Sequence, residues 1–140
     1  MEQQLHRRLA VFVGGFDLDA AERVGAVAGV ESDQVLLGLD SLVSKSMLIS
    51  VPGHGFSRYR MLEPVRDDAL ARLRSAAEED AALASHVAHF ADFGAAAFDG
   101  IRGADEQWFL DRYFADFANM RAAVERAVAV ADIDAAMTIA

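Results

Sequence analysis

His86 and His89 stand three residues apart, with Asp92 three further on. On a helix this HxxHxxD spacing puts all three side chains on one face, where two imidazoles and a carboxylate could hold a zinc-like ion. The same spacing also describes a polar stripe opposite an apolar one. A metal site needs outer partners and a rigid frame, and none is evident here, so the polar stripe is adopted and no metal ligand is assigned.

Other chemistries are narrowed by what the chain lacks. It has no cysteine, which excludes thiolate catalysis, disulfides and cysteine-based zinc sites. There is no GxxxxGK[ST] loop, and Lys45 is the single lysine, so a phosphate-cradling loop is missing. Gly14-Gly15 reads as the end of a helix. Glu63, Asp67 and Asp68 are carboxylates without the burial or crowding that acid–base work requires. They read as solvated groups or partners of Arg66 and Arg72, Asp68 and Arg72 having the favourable i, i+4 spacing. No catalytic residue and no cofactor-binding residue is assigned. Trp108 and the phenylalanines around it could line a ligand groove but read as core.

The cations are few. The net charge is −9, and it is uneven: residues 1–62 carry −1 and residues 63–140 carry −8. Such a balance repels a phosphate backbone at long range and argues against a large nucleic-acid surface. The candidates for a phosphate contact are Lys45, Arg58 and Arg60. Arg58 and Arg60 alternate on one side of a short strand, where they could hold phosphates or merely keep a sheet edge charged and soluble; the second reading is adopted.

The elements that carry these residues centre on Ser32–Arg74. SDQVLLGLDSLVSKS is an amphipathic helix capped by Ser32 or Asp33. Its apolar stripe is Val35, Leu36, Leu39, Leu42 and Val43, and its polar face is Asp33, Gln34, Asp40, Ser41, Ser44 and Lys45. Arg and Asn, the usual base readers, are absent from that face. MLISV and SRYRML are two strands joined by a turn at Pro52, Gly53 and Gly55. EPVRDDALARLR is a helix with Pro64 at its first position, where a missing N–H costs nothing, and with Val65, Ala69, Leu73 and Ala76 inward. A helix followed by a two-stranded wing is the core of a winged helix.

Upstream, Gln3–Val13 is a helix with Leu5, Leu9, Phe12 and Val13 on one face, and Phe16 folds back onto it. Asp17 caps a second helix carrying Leu18, Ala21, Val24 and Ala28. The apolar run AVFV is too short for a signal peptide, and no run reaches the roughly 18 residues of a membrane span. Downstream, a helix runs to about Phe98 with Leu83, Val87, Phe90, Ala91 and Gly94 inward. A loop follows at Asp99-Gly100 and Gly103. Glu106–Ala131 then forms one long helix whose aromatic cluster (Trp108, Phe109, Tyr113, Phe114, Phe117) packs the helices together. Ala131-Asp132 is a turn before IDAAMTIA. The chain is therefore mainly α: residues 1–78 form a winged-helix domain of three helices and a two-stranded wing, and residues 79–140 form a helical, repeat-like segment. It ends inside a helical pattern, as a fragment of a longer protein would.

LHRRLAVFVGGFDLDAAERVGA, LLGLDSLVSKSMLIS, RYRMLEPVRDDALARL and FANMRAAVERAV, in this order, resemble one region of bacterial signal-transduction (STAND) ATPases, the LuxR-like, SARP-like and adenylate-cyclase-fused transcriptional regulators. The resemblance implies that a winged helix follows an NB-ARC ATPase module and precedes tetratricopeptide-like helices. ATP and magnesium would belong to that module, not to this chain. The winged helix would act through protein contacts, with the ATPase module and the downstream repeats as intramolecular partners, a further protein partner, and DNA read elsewhere. The chain departs from the family at Asp68, where an aromatic residue is common, and at Ala118, where an acid usually precedes Asn119. The expectation is a non-enzymatic, cytoplasmic regulatory fragment. The alternative is a DNA-binding winged helix using residues 33–45 and Arg58/Arg60.

Overall fold

The computed structural model describes residues 2–25, 31–51, 57–100, 103 and 105–139. In chain order these form α1 (Glu2–Leu9), β1 (Phe16–Asp17), α2 (Leu18–Gly25), α3 (Ser32–Ser44), β2 (Ile49–Val51), β3 (Arg58–Arg60), α4 (Glu63–Ser75), α5 (Glu79–Gly100), α6 (Glu106–Ala115), α7 (Phe117–Ala129) and α8 (Ile133–Ile139). The expected mainly helical fold with a winged helix is present. The turn at Pro52–Gly55 and Ala28 lie outside the described residues.

α1 stops at Leu9, short of the expected Val13, because the chain tightens into i→i−3 bonds from Ala10 to Phe12. Arg66 of α4 donates through Nε to the freed carbonyls of Ala10 and Phe12 at 2.9 and 3.0 Å, which ties α4 to the end of α1. Gly14 then takes a φ of 85°, the left-handed turn that glycine adopts without strain. The turn brings Phe16 back onto Phe12, with stacked rings 4.7 Å apart. Val13 is left partly exposed rather than on the buried face.

Phe16 and Asp17 form a strand that the sequence reading did not anticipate. The sheet has three antiparallel strands in the order β1-β3-β2, with Phe16 opposite Tyr59 and Asp17 opposite Arg58. β3 is thus the central strand and not a charged edge. Two residues give almost no periodicity, so β1 could be found only through its partner.

The core gathers Leu5, Leu9, Phe16, Val24, Val35, Leu39, Leu42, Leu73 and Phe90, all at most 1 % exposed. α3 begins one residue after its N-cap Glu31, whose amide donates to Gln34 Oε1 at 3.2 Å. The cap is therefore neither Ser32 nor Asp33. α3, α4 and α7 end alike: Ser46, Ala77 and Ala131 take φ of 61°, 58° and 60°, and the next amide reaches back to Leu42, Leu73 and Ala127 respectively, the left-handed ending usually given to glycine.

α5 packs on α2, α7 and α8. It continues through Asp99 and Gly100, which the sequence reading assigned to a loop. The expected helix 106–131 is two helices, broken at Asp116. The buried face of α7 is Asn119, Met120, Ala123 and Ala127, and its alanines are small enough to let α8 approach closely. The aromatic cluster was expected in the core, yet Trp108, Phe114 and Phe117 are 45 %, 72 % and 53 % exposed. Aromatic content suggested burial, but helix packing used the alanine face instead. Among the described residues, no helix is long and apolar enough to cross a membrane.

Candidate nucleic-acid interface

α3 is seated on the core by Val35, Leu39 and Leu42. Its outward face is Asp33, Gln34, Leu36, Leu37, Asp40 and Ser44. Leu36, assigned inward from the sequence, is 40 % exposed, and Leu37 is 67 % exposed. The helix therefore shows two leucines between two aspartates, with no arginine. Lys45 at its end is held by Glu2 of α1, Nζ to Oε1 at 2.6 Å. The Lys45 ammonium and a Ser41 hydroxyl bond hold the Glu2 carboxyl below its usual range.

The wing separates the two arginines that the sequence paired. Arg58 is buried, and its Nη2 meets Asp116 Oδ1 at 2.9 Å. It is neither a solvated side chain nor free to hold a phosphate: its place opposite β1 turns it under the α6–α7 corner. Arg60, two residues on, is exposed and makes no hydrogen bond or ion pair with the described residues. The other described Lys and Arg side chains are engaged: Arg7 with Glu78, Arg8 with the Val24 carbonyl, Arg23 with Asp92, Arg66 with carbonyls, Arg72 with Asp68, Arg74 with Glu79, Arg112 with Asp17, Arg121 with Glu125 and Arg126 with Asp80. The Asp68–Arg72 pair is the one expected from i, i+4 spacing.

The His86–His89–Asp92 stripe does not assemble. His86 is 2 % exposed, packed against Phe12 and Phe90 with ring centroids 5.3 and 4.9 Å away. Asp92 is exposed and paired with Arg23 at 2.8 Å. The stripe reading fails too, because His86 faces the core. Among the described residues no group of three or more His, Asp or Glu could hold a metal ion. Trp108 has Arg112 over its ring at 4.3 Å, so that face of the indole is already covered. A cleft of about 710 Å³ lies between α1, the end of α3 and α4, but its charges Lys45, Glu2, Asp68, Arg72 and Arg7 are paired within the chain.

A sheet ordered β1-β3-β2, with β1 between α1 and α2 and α3 ahead of the β2–β3 pair, is the winged-helix topology. Residues 1–85 match the winged helix-turn-helix domain family. The chain belongs to that family. It is 39 % identical over 122 residues to a Mycobacterium tuberculosis protein whose name provisionally describes an HTH-type transcriptional regulator, a match covering 87 % of this chain and 14 % of that protein. A Mycobacterium bovis counterpart matches to the same extent. An uncharacterized M. tuberculosis protein is 43 % identical over 89 residues, 63 % of this chain and 23 % of its own length. The chain thus spans about a seventh to a quarter of the curated relatives it matches. No solved structure matches significantly.

The sequence reading assigned Asp17 only a capping role and did not single out Arg112 or Asp116, yet Asp17 with Arg112 and Arg58 with Asp116 form buried ion pairs. One signal was available: Asn119 is a polar residue on an otherwise apolar helical face.

Proposed function

We propose that this chain is the winged helix-turn-helix part of a transcriptional regulator and meets duplex DNA with α3 and the wing, Arg60 supplying a phosphate contact. Membership of the family and the names of two relatives support the regulatory role. The observation that carries the contact is Arg60, exposed on a wing strand and without a partner among the described residues. Asp33, Asp40 and the two leucines of α3 make the contact weak and tolerant of sequence, since one arginine neutralises about one phosphate. The test is fluorescence anisotropy of a labelled duplex at low salt. Binding in the micromolar range that weakens with salt, and is severalfold weaker in Arg60→Ala, supports the reading. A flat titration to about 100 μM overturns it.

A second reading follows from the resemblance to STAND ATPases: a non-catalytic scaffold that presses α3 against another module of a longer, ATP- and magnesium-dependent regulator. Leu36 and Leu37 between Asp33 and Asp40 favour it, because an exposed apolar patch with an acidic rim fits a basic, apolar protein surface. Hydroxyl-radical footprinting of the two leucines separates the readings. Protection in the whole regulator relative to this chain alone supports the scaffold, and equal reactivity counts against it.

A further inference from the structure

The helical segment grips the winged helix through directed polar bonds at its sheet. Asp116 lies at the corner between α6 and α7, and its Oδ1 takes the Arg58 guanidinium of β3. One turn earlier, Arg112 Nη2 holds Asp17 Oδ2 of β1 at 2.7 Å. Asp17 uses its other oxygen to accept from the Ala20 amide at 2.9 Å, which caps α2. One turn later, Asn119 Nδ2 donates to the Gly15 carbonyl and its Oδ1 accepts from the Val13 amide, each at 2.6 Å. Gly15 is itself close to the wing: a Cβ there would lie 3.1 Å from the Tyr59 carbonyl. Three successive turns of the helical segment therefore hold β1, β3 and the turn that precedes them.

We infer that the α6–α7 corner is a lever that sets the position of the wing, with Asp116 and Asn119 as its positioning residues. Three features distinguish a lever from ordinary packing. The contact sits at the break between α6 and α7, where Asp116 leaves helical geometry with φ −104° and ψ 12°, so a change at that break moves Asp116 directly. It acts on β3, the central strand, which is bonded to both β1 and β2, so that the sheet moves with Arg58. And it is only partly satisfied: Arg58 Nη1 is buried with no hydrogen-bond partner among the described residues, and burial raises the Asp116 carboxyl although its bonds to Arg58 and Asn119 draw it down. A buried pair that is not fully satisfied adds little net stability, because desolvation offsets its attraction, which is the property of a contact that can be displaced. Arg60 follows Arg58 by two residues on the same strand, so anything that bends the α6–α7 corner is felt at the DNA contact. This last step rests on the proposed DNA reading; the mechanical coupling does not.

Hydrogen exchange of the whole chain tests the coupling, comparing Asp116→Asn and Asn119→Ala with the parent. The lever predicts that amides of β1, β2 and β3 exchange roughly tenfold faster while those of α1 and α3 stay within about twofold. β2 is decisive, because neither residue touches it. A uniform increase, or faster exchange at β1 and β3 with β2 unchanged, overturns the inference. Should Asp116→Asn not fold, Arg58→Lys keeps the buried cation but shortens its reach, and gives the same reading. The DNA titration is then run on the same variants. If the parent does not bind, the DNA reading falls and the exchange result still decides the lever. If it binds, Asp116→Asn weakens it severalfold without touching DNA, and unchanged affinity overturns the coupling to Arg60.

Discussion

The side-chain amide of Asn119 donates to the carbonyl of Gly15 across 2.6 Å, although the two residues are 104 positions apart. Its orientation is fixed by chemistry: Gly15 offers only an acceptor there and Val13 only a donor, so oxygen and nitrogen cannot be exchanged. Asn119 is 1 % exposed. Replacing it with alanine leaves a carbonyl and an amide unpaired and costs about 2 to 3 kcal/mol. Urea unfolding measures this, and a loss under about 0.5 kcal/mol would show that water replaces the side chain.

Burial pushes His86 down to about 4 from an ordinary 6.5. The unfolded chain takes up this proton near pH 6.5 and the folded chain only near 4, so stability is complete above 6.5 and falls as the pH is lowered between those values. The loss is roughly 3 kcal/mol over that window. His6 and His89, also lowered by burial, act in the same direction. Asp116, raised, opposes them by losing stability as the pH rises through the carboxylate range. Unfolding midpoints at pH 7 and 4.5 should show the decline, and His86→Leu should remove most of it.

A Cβ added to Gly94 of α5 would lie 2.5 Å from the backbone carbonyl of Thr138 in α8. Backbone cannot yield as a side-chain tip can, so Gly94→Ala forces the two helices apart and costs about 1 to 3 kcal/mol. Thermal unfolding checks the size. Exchange of α8 amides checks the cause, since they should lose protection first.

Ala77 holds a φ of 58° at the end of α4, a conformation that burdens any residue with a Cβ. Ala77→Gly should therefore raise stability by about 0.5 to 1 kcal/mol, although glycine elsewhere in a helix lowers it. A control at Ala71, inside α4, should move the other way by about 1 kcal/mol.

In the DNA titration, Arg60→Ala should reduce the slope of log Kd against log salt by about 1. Arg121→Ala, equally basic and exposed but paired with Glu125, should leave it unchanged. Equal effects would mean that only overall charge matters.

Much of the winged helix was legible in sequence order. Apolar residues at helical spacing located the helices, Gly14 marked the turn after α1, Asp17 was read as a cap, and Phe16 as folding back. Each depends on neighbours within a few residues, where periodicity and turn chemistry act. What escaped notice depends on residues far apart. β1 exists because Phe16 and Asp17 meet Tyr59 and Arg58 some forty positions later. Arg58 looked like a solvated wing residue because its partner lies at Asp116. The aromatic run of α6 looked like core because composition cannot say which face a neighbouring helix will choose.

The sequence by itself determined the helical class, the wing, the small number of cations and the scarcity of base-reading side chains on α3, because these follow from residue types and local spacing. Tertiary structure decided which cation remains free. A charge is spent or left over only when its surroundings are in place, and folding brought Asp116 to Arg58 and Glu2 to Lys45 while leaving Arg60 with no partner among the described residues.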